Sequence, residues 1–511
     1  LCNLNCDMCY VHLSKQEMQS QGRLRSVDEW ISFAHQMKDA GTLFLLLTGG
    51  EPLLFPQFKE LYCALKDMGM IESFDDITIL KEILGTRYVS LVSSIAFYIK
   101  NKSLFGNLLY KLSNKHRKEL QEKAKTTTAP KFVDFFAGAG GLSCGFSQAG
   151  FKVCFANDNE DVCVETYRYN HPELPASKVV KEDIRNIVNN ICDYIDEDID
   201  IVVGGPPCQG FSSANQQRII DDPRNELYKY YIEAIKHIAP KFILMENVRG
   251  MLSVANQVVE DYKSITISKN GHQYTYDIAY RLLNSVDFGV AQSRERLIYI
   301  AVRNDVSFSK RITAENIFEE INKICQSRKK VNLQSALEFI PPLEAPRMKG
   351  MTEIDSVQTG MKIGPNNYDS CGNDYLRVIN GGRHIPFIFN HKARYCSDIN
   401  YEIFKRLSPG EDSTSPKIAD IMPYAHRNGV FKDKYYKLYA DRPCRTITAH
   451  LRMDCLSHIH PTQIRSLTPR EAARVQSFPD DYLFLGAYLK TYMQIGNAVP
   501  VLMAKQIATI I

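Results

Sequence analysis

The residues best suited to chemistry lie in one short stretch, Asp200 to Ser212, which reads Asp-Ile-Val-Val-Gly-Gly-Pro-Pro-Cys-Gln-Gly-Phe-Ser. An apolar run rises into two glycines, two prolines and a cysteine. The pattern predicts a buried strand ending in a stiff loop that presents a thiol. The prolines fix φ and remove two backbone donors, so the loop cannot relax into helix. Cys208 is therefore the candidate for covalent chemistry, the competing reading being an inert buried cysteine. A second set of thiols, Cys2, Cys6 and Cys9, is spaced C-x3-C-x2-C and is followed directly by Tyr10. Three thiolates so close can hold three irons of a cubane cluster and leave one iron open.

Other candidates sit where apolar runs end. Lys131 to Phe136 reads as a strand that enters Ala137-Gly138-Ala139-Gly140-Gly141-Leu142 and then a helical pattern. Glycines at such a turn let a ligand approach the backbone closely, although the spacing departs from G-x-G-x-x-G and a structural tight turn competes. The strand Phe151 to Ala156 ends in Asn157-Asp158-Asn159, which puts Asp158 where an acid can take both hydroxyls of a ribose. Glu182-Asp183-Ile184 follows a third apolar run. Acids ending successive strands can line an adenosine pocket at the carboxyl edge of a parallel sheet; helix capping is the competing role for each. No P-loop pattern occurs, which disfavours a P-loop nucleotide.

Beyond Cys208, Asp222 to Leu227 opens a helix running to His237, and the strand Lys241 to Met245 delivers Glu246-Asn247-Val248. A carboxyl group ending a buried strand is costly unless it has a task or a partner. Arg294 and Arg296 leave an extended chain on the same side, between a Gly289 turn and the apolar run Leu297 to Val302, and are expected to frame a site.

The chain has 511 residues, a net charge of +4 and 23% charged residues, the profile of an ordinary soluble protein of several domains. That charge is too small to announce nucleic-acid binding, so any basic surface must be local. The 14 cysteines lack the dense spacing of a secreted scaffold and are expected to be thiols in a reducing, cytoplasmic compartment. No stretch reaches the roughly 20 apolar residues of a membrane span. The chain opens on Leu1 rather than Met, so a further N-terminal stretch is expected upstream.

Two resemblances follow. The cysteine cluster, with the strand Leu43 to Leu47 running into Thr48-Gly49-Gly50-Glu51-Pro52, resembles the radical S-adenosylmethionine family over residues 1–70. It implies a 4Fe-4S cluster on Cys2, Cys6 and Cys9. The further βα units of such a barrel are not found, so a truncated or fused remnant is expected. Residues 71–130 read as a mostly helical linker with a basic tail.

From about residue 131 to 511 the chain resembles DNA (cytosine-5) methyltransferases. Phe135-Phe136-Ala137-Gly138, Pro206-Pro207-Cys208-Gln209, Glu246-Asn247-Val248, Gln292-Ser293-Arg294-Glu295-Arg296 and Gly496-Asn497-Ala498-Val499-Pro500 occur in the family's order. The resemblance implies a doubly wound, Rossmann-like α/β domain over residues 131–303, a target-recognition region over 304–440, and supporting motifs over 441–511 that return to the catalytic domain. It implies a Cys208 nucleophile, with Glu246 on the base and Arg294 holding the base and orienting Glu246, Arg296 nearby. S-adenosylmethionine would lie against Phe136, Ala137, Gly138, Gly140, Gly141, Leu142, Asp158, Asn159, Asp183, Ile184, Gly205, Pro207, Leu227, Asn497, Ala498 and Val499. Asn159 stands where the family often has a larger group packing on adenine.

The implied partner is double-stranded DNA, bound by a monomer, with a cognate restriction endonuclease and no membrane. Arg383, His384, His391, Lys392 and Arg394 fall in the region implied to read bases or touch phosphates. Thr468-Pro469-Arg470-Glu471 predicts a capped helix start. The rivals are a radical enzyme carrying a methyltransferase-like appendage, and a binding module without catalysis.

Overall fold

The computed structural model describes residues 26–39, 58–68, 117–122, 128–207, 227–269, 271–306, 312–368, 372–423 and 434–511. The chain divides into two units, Leu1–Gly106 and Asn107–Ile511. In the first, helices α1 (Val27–Asp39) and α2 (Phe58–Asp67) pack through Val27, Ala34, Leu61 and Leu65. Ser26 and Glu29 close a reciprocal cap on α1, the backbone N–H of each donating to the other's side chain. Cys63 is exposed on α2. Cys2, Cys6, Cys9 and the expected strand at 43–47 lie outside the described residues.

The second unit is built on a seven-stranded sheet. Its strands are β1 (Lys131–Phe135), β2 (Lys152–Asp158), β3 (Val179–Lys181), β4 (Ile201–Gly204) and β5 (Phe242–Val248), then, after a small hairpin of β6 (Ile267–Lys269) and β7 (His272–Tyr274), β8 (Tyr276–Asn284) and β9 (Glu295–Arg303). The order is β3-β2-β1-β4-β5-β9-β8. The first five strands pair in parallel, while β9 runs antiparallel between β5 and β8. The expected doubly wound sheet is present, with an antiparallel hairpin at one edge.

Both faces are buried, so the strands read as continuous apolar runs rather than alternating ones. Successive residues feed opposite cores: Ile201, Val203 and Leu244 one, Val202, Ile243 and Met245 the other. The first core is covered by α3 (Gly141–Gln148) and α4 (Asp161–Asn170), the second by α5 (Ile184–Ile187), α6 (Leu227–Ile238) and α7 (Ala255–Lys263). The helical turn at 117–122 reaches α4, where Arg117 lies over the Tyr169 ring and donates to its carbonyl.

Beyond β9, α8 (Ala314–Ser327), α9 (Leu333–Leu337) and α10 (Asp374–Ile379) still pack into the first core. A smaller core forms around Ile403 and Phe404 of α11 (Asp398–Arg406), with Ile418, Tyr435, Leu456 and Ile459. The hairpin of β10 (Gly360–Pro365) and β11 (Phe387–Lys392) belongs to this part of the chain. The C-terminal helices are α12 (Pro469–Val475), α13 (Tyr488–Asn497) and α14 (Val501–Ile510). α14 returns to α3, where a Cβ on Gly145 would fall 2.5 Å from that of Ala504; glycine alone permits this approach. No described helix is long and apolar enough to cross a membrane.

Every residue of α12 is buried, charged ones included, because each charge is partnered. Thr468 caps it with Glu471, as the sequence predicts. Glu471 accepts two hydrogen bonds from Arg465 at 2.7 and 2.6 Å, and Asp480 accepts two from Arg474 at 2.7 and 2.8 Å. Arg470 donates to the carbonyls of Phe389 and Pro479. Burial by itself would raise the Glu471 carboxyl, but the Arg465 guanidinium and the nearby His460 and His391 hold it well below the usual carboxylate range. Beneath the turn after β1, Asp134 is fully buried and accepts from Ser143 Oγ at 2.6 Å, which in turn accepts from Tyr167. Burial pushes the Asp134 carboxyl up to about 7.

Two outcomes follow from these buried charges. Glu471→Gln removes the anion from a buried Arg465 and should cost about 3–5 kcal/mol, read from urea denaturation of the full chain. Asp134 binds its proton more tightly folded than unfolded, so it opposes folding increasingly as pH rises from about 4 to 7 and constantly above. The stability of Asp134→Asn relative to the parent should therefore rise by roughly 3 kcal/mol between pH 5 and pH 8 in thermal melts; a pH-independent difference would contradict the buried acid.

Candidate active site

At the carboxyl edge of the parallel strands lies a cleft of about 2420 Å³. Its first wall is the turn after β1. Phe136 adopts φ 56°, and Gly138 and Gly140 have φ 56° and 89°. A left-handed phenylalanine is held only because its surroundings fix it. Asn157 supplies part of that hold: its carbonyl accepts from Ala137 N at 2.9 Å, while its side chain donates to the carbonyls of Val180 and Glu182. One residue thereby ties the ends of β1, β2 and β3 together. Asp158 accepts from the N–H of Gly138 at 2.8 Å and from that of Glu160 at 2.9 Å. Burial raises its carboxyl pKa, partly offset by those N–H groups.

The expected strand Phe151 to Ala156 runs on as far as Asp158, so Asn157 and Asp158 close β2 rather than follow it. Asp183 takes the capping role as well: it accepts from Arg185 N at 3.0 Å and pairs with that side chain.

The opposite wall is the end of β5. This strand outruns the expected Lys241 to Met245 and carries Glu246 within it. Val248 stands opposite Arg296 in the antiparallel register, and Glu246 opposite Ile298. Glu246 and Arg296 are thus diagonal neighbours on one face, and Arg296 Nε meets Glu246 Oε1 at 2.7 Å. Asn247 donates to Pro206 O at 3.0 Å and so pins the loop that leads to Cys208. Gly205 lies beside Glu246, where a Cβ would stand 3.1 Å from Oε2.

Arg294 lines the cleft but does not make the ion pair with Glu246. It is buried and gives Nη1 to the carbonyls of Ile447 and Gly496, at 2.7 and 3.0 Å, so it is Arg296 that holds Glu246. Burial and the neighbouring Arg296 push its pKa well down, against the opposing pull of Glu246. Its Nε has no partner among the described residues.

Of the residues singled out from sequence, Phe136, Ala137, Gly138, Gly141, Leu142, Asp158, Asn159, Asp183, Ile184, Gly205, Pro207, Leu227, Glu246, Arg294, Arg296, Asn497, Ala498 and Val499 line this one cleft. Gly140 does not line it. A Cβ there would meet Tyr482 and His171 within 3 Å, so its part is to turn the backbone over those rings. Cys208, and the loop to Glu226, lie outside the described residues. The cleft also holds Arg445, from a stretch (Arg442 to Ile447) that resembles the family's motif supporting the target-recognition region, and residues not singled out from sequence, among them Lys434, with His450 and Arg452 on the turn Ala449–Arg452. The only signal for His450 and Arg452 is the run of basic residues just after Arg442-Pro443-Cys444; Lys434 has none.

Most of the residues expected to read DNA are engaged inside the fold. His391 is buried between Thr468 Oγ1 and Pro341 O, and Lys392 pairs with Asp355. Arg383 pairs with Asp481, and Arg394 donates to the carbonyls of Leu451 and Met453. Burial pushes His391 down to about 4, which keeps it neutral.

Residues 130–511 match the family model of the C-5 cytosine-specific DNA methylases, and residues 1–95 match that of the Radical SAM superfamily, a longer span than the 70 expected. The type II methyltransferase M.DdeI of Desulfomicrobium norvegicum is 32% identical over 74% of this chain and 87% of its own length. M.FnuDI of Fusobacterium nucleatum is 31% identical over 74% of this chain and 93% of its own. A crystal structure of a prophage-encoded E. coli protein, described as a DNA modification methyltransferase, superposes with a TM-score of 0.57 at 25% identity, covering 75% of this chain and 98% of that one. The chain therefore belongs to the C-5 cytosine-specific DNA methylase family, and its activity is DNA cytosine methylation.

Proposed function

We propose that the chain methylates C5 of a cytosine flipped out of duplex DNA, through a covalent bond between Cys208 and C6 of the ring. The observation that carries this reading is the Glu246–Arg296 pair, set beside the Pro206-Pro207 loop and sharing a cleft with the glycine turn. Drug-sized ligand pockets run to about 300–1,000 Å³. A cleft of about 2420 Å³ therefore has room for a nucleoside donor and a base together. S-adenosylmethionine fits the first wall: Gly138 faces open space where a side chain would stand, and each Asp158 oxygen keeps a lone pair for a ribose hydroxyl.

Cytosine C5 is a weak nucleophile. Attack of the Cys208 thiolate on C6 forms an S–C bond and moves the ring electrons toward C5 and N3. Glu246 meets N3 and the 4-amino group and shares the proton that offsets charge at N3. Arg296 holds that carboxyl in place, and Arg294 stiffens the loop beneath it. S-adenosylmethionine, when bound, would supply an electrophilic methyl group to C5 and leave as S-adenosylhomocysteine. A base then removes the C5 proton, and the returning electron pair expels Cys208. None of this is possible inside a stacked duplex, hence the flipped base.

The part that reads the target sequence lies within residues 304–440, beside the smaller core, and the chain acts as a monomer on DNA. The type II relatives support a restriction-modification setting with a partner endonuclease. The N-terminal segment is read as a truncated or fused remnant; where it is functional, Cys2, Cys6 and Cys9 would hold a 4Fe-4S cluster, a reading supported by the family match over residues 1–95. Anaerobic reconstitution with iron and sulfide tests it by the cluster's visible absorbance.

Bisulfite sequencing of DNA from cells expressing the chain will show the recognised sequence. An oligonucleotide with 5-fluorocytosine at that site cannot release the C5 substituent as a proton. Incubated with S-adenosylmethionine, it should give an adduct that survives denaturing electrophoresis with the parent and none with Cys208→Ser. An adduct of equal yield with the serine variant sinks the covalent route. Glu246→Gln should lower kcat by about 10²–10⁴-fold, with the KM for S-adenosylmethionine little changed.

A further inference from the structure

Two fully buried glutamines, Gln292 and Gln476, join three stretches of chain that the site needs. Gln292 belongs to the turn before β9. Its Oε1 accepts from Ile447 N at 2.6 Å, and its Nε2 donates to Gln476 Oε1 at 2.8 Å. Gln476 Nε2 then donates to the carbonyls of Ile495 and Ala498, at 2.7 and 3.1 Å. The ends fix the polarity: a backbone N–H demands an acceptor at one end, and two carbonyls demand donors at the other. Every amide atom is used, as burial requires.

The two ends of this relay touch different walls of the cleft. On one side, the loop carrying Ala498 and Val499 is pressed on the start of α3, where a Cβ on Gly141 would lie 2.5 Å from Val499 O. On the other, Gln292 begins the stretch that continues through Arg294 to Arg296, and Arg296 grips Glu246. Arg294 adds a parallel strut, with its bonds to Ile447 O and Gly496 O. The relay and this strut therefore join the donor-side loop to the base-side strand by directional hydrogen bonds.

We infer that Gln292 and Gln476 are positioning residues that couple the donor-binding loop to the base-binding pair, so that filling the donor wall tightens the hold on the cytosine. The inference rests on the site reading above. Neither glutamine lines the cleft, so neither touches substrate.

The test is linkage. Binding of a duplex carrying the recognised sequence is measured by anisotropy on the full chain, with and without saturating S-adenosylhomocysteine, the product form of the donor. The parent should bind DNA more tightly with this ligand by a factor within the usual 5- to 150-fold range of coupled sites. Gln476→Met and Gln292→Met should each lower that factor to what the Arg294 strut alone carries, while S-adenosylhomocysteine alone binds within about threefold of the parent value. The double variant should lose nothing further, because both changes cut the same link. A stabilising role alone would lower the melting temperature and leave the factor intact. A parent factor of one, an unchanged factor in the folded variants, or additive losses in the double variant each overturn the inference. Should Gln476→Met not fold, Gln292→Met decides alone. A parent that transfers no methyl group overturns the site reading and this inference together; an active parent with unaltered linkage in the variants overturns this inference only.

Discussion

The antiparallel entry of β9 between β5 and β8 is the constraint on which the rest of the second unit depends. Parallel strands bring only their carboxyl ends to the cleft. A strand running the other way brings its start, so Arg296 arrives beside a carboxylate at the finish of β5. The diagonal geometry of an antiparallel pair then sets the ion pair without help from any flexible loop. A slip of one residue would turn every β9 side chain to the opposite face. Both faces are buried, so that slip would also exchange the residues packed in the two cores.

The chain after residue 440 contains no long strand, yet it holds the cleft together. It does so largely with buried polar groups that pair with one another or with main-chain carbonyls. Arg465 with Glu471, Arg474 with Asp480, Arg470 with main-chain carbonyls, and the Gln292–Gln476 relay all lie out of water. Such groups are poor sources of net stability, because desolvation offsets most of their attraction. Their worth is geometric. An apolar contact tolerates small slides, whereas a bidentate arginine pair accepts one arrangement. The donor-side loop at 496–499 is likewise placed by directional hydrogen bonds, from Arg294 to Gly496 O and from Gln476 to Ala498 O.

Much of this was legible because local physics dictates it. Glycines that must turn a chain, prolines that stiffen a loop and an acid closing an apolar run announce themselves in any context. The strand ends ran two or three residues beyond the reading at Asp158 and Val248, since pairing with a neighbour extends a strand past its apolar run. Sequence alone does not separate residues of one type that serve two ends. Arg294 and Arg296 are alike in sequence, yet one meets carbonyls and the other a carboxylate. His391, Lys392 and Arg394 look like DNA-reading side chains and turn out to be inward struts, because their partners come from 50 or more residues away or from a distant loop acid.

The amino-acid sequence by itself determined the alternation of strands and helices, the glycine turn, the stiff loop before Cys208 and the family. All of these follow from neighbours within a few positions, or from motif order. Only the tertiary structure decided which arginine faces Glu246, that Gly140 bends over Tyr482 instead of facing the cleft, and that Gln292 meets Gln476 across 184 positions of chain. The physical reason is that a long-range hydrogen bond leaves no periodic trace: it constrains two points in space, and nothing in the intervening sequence records their distance.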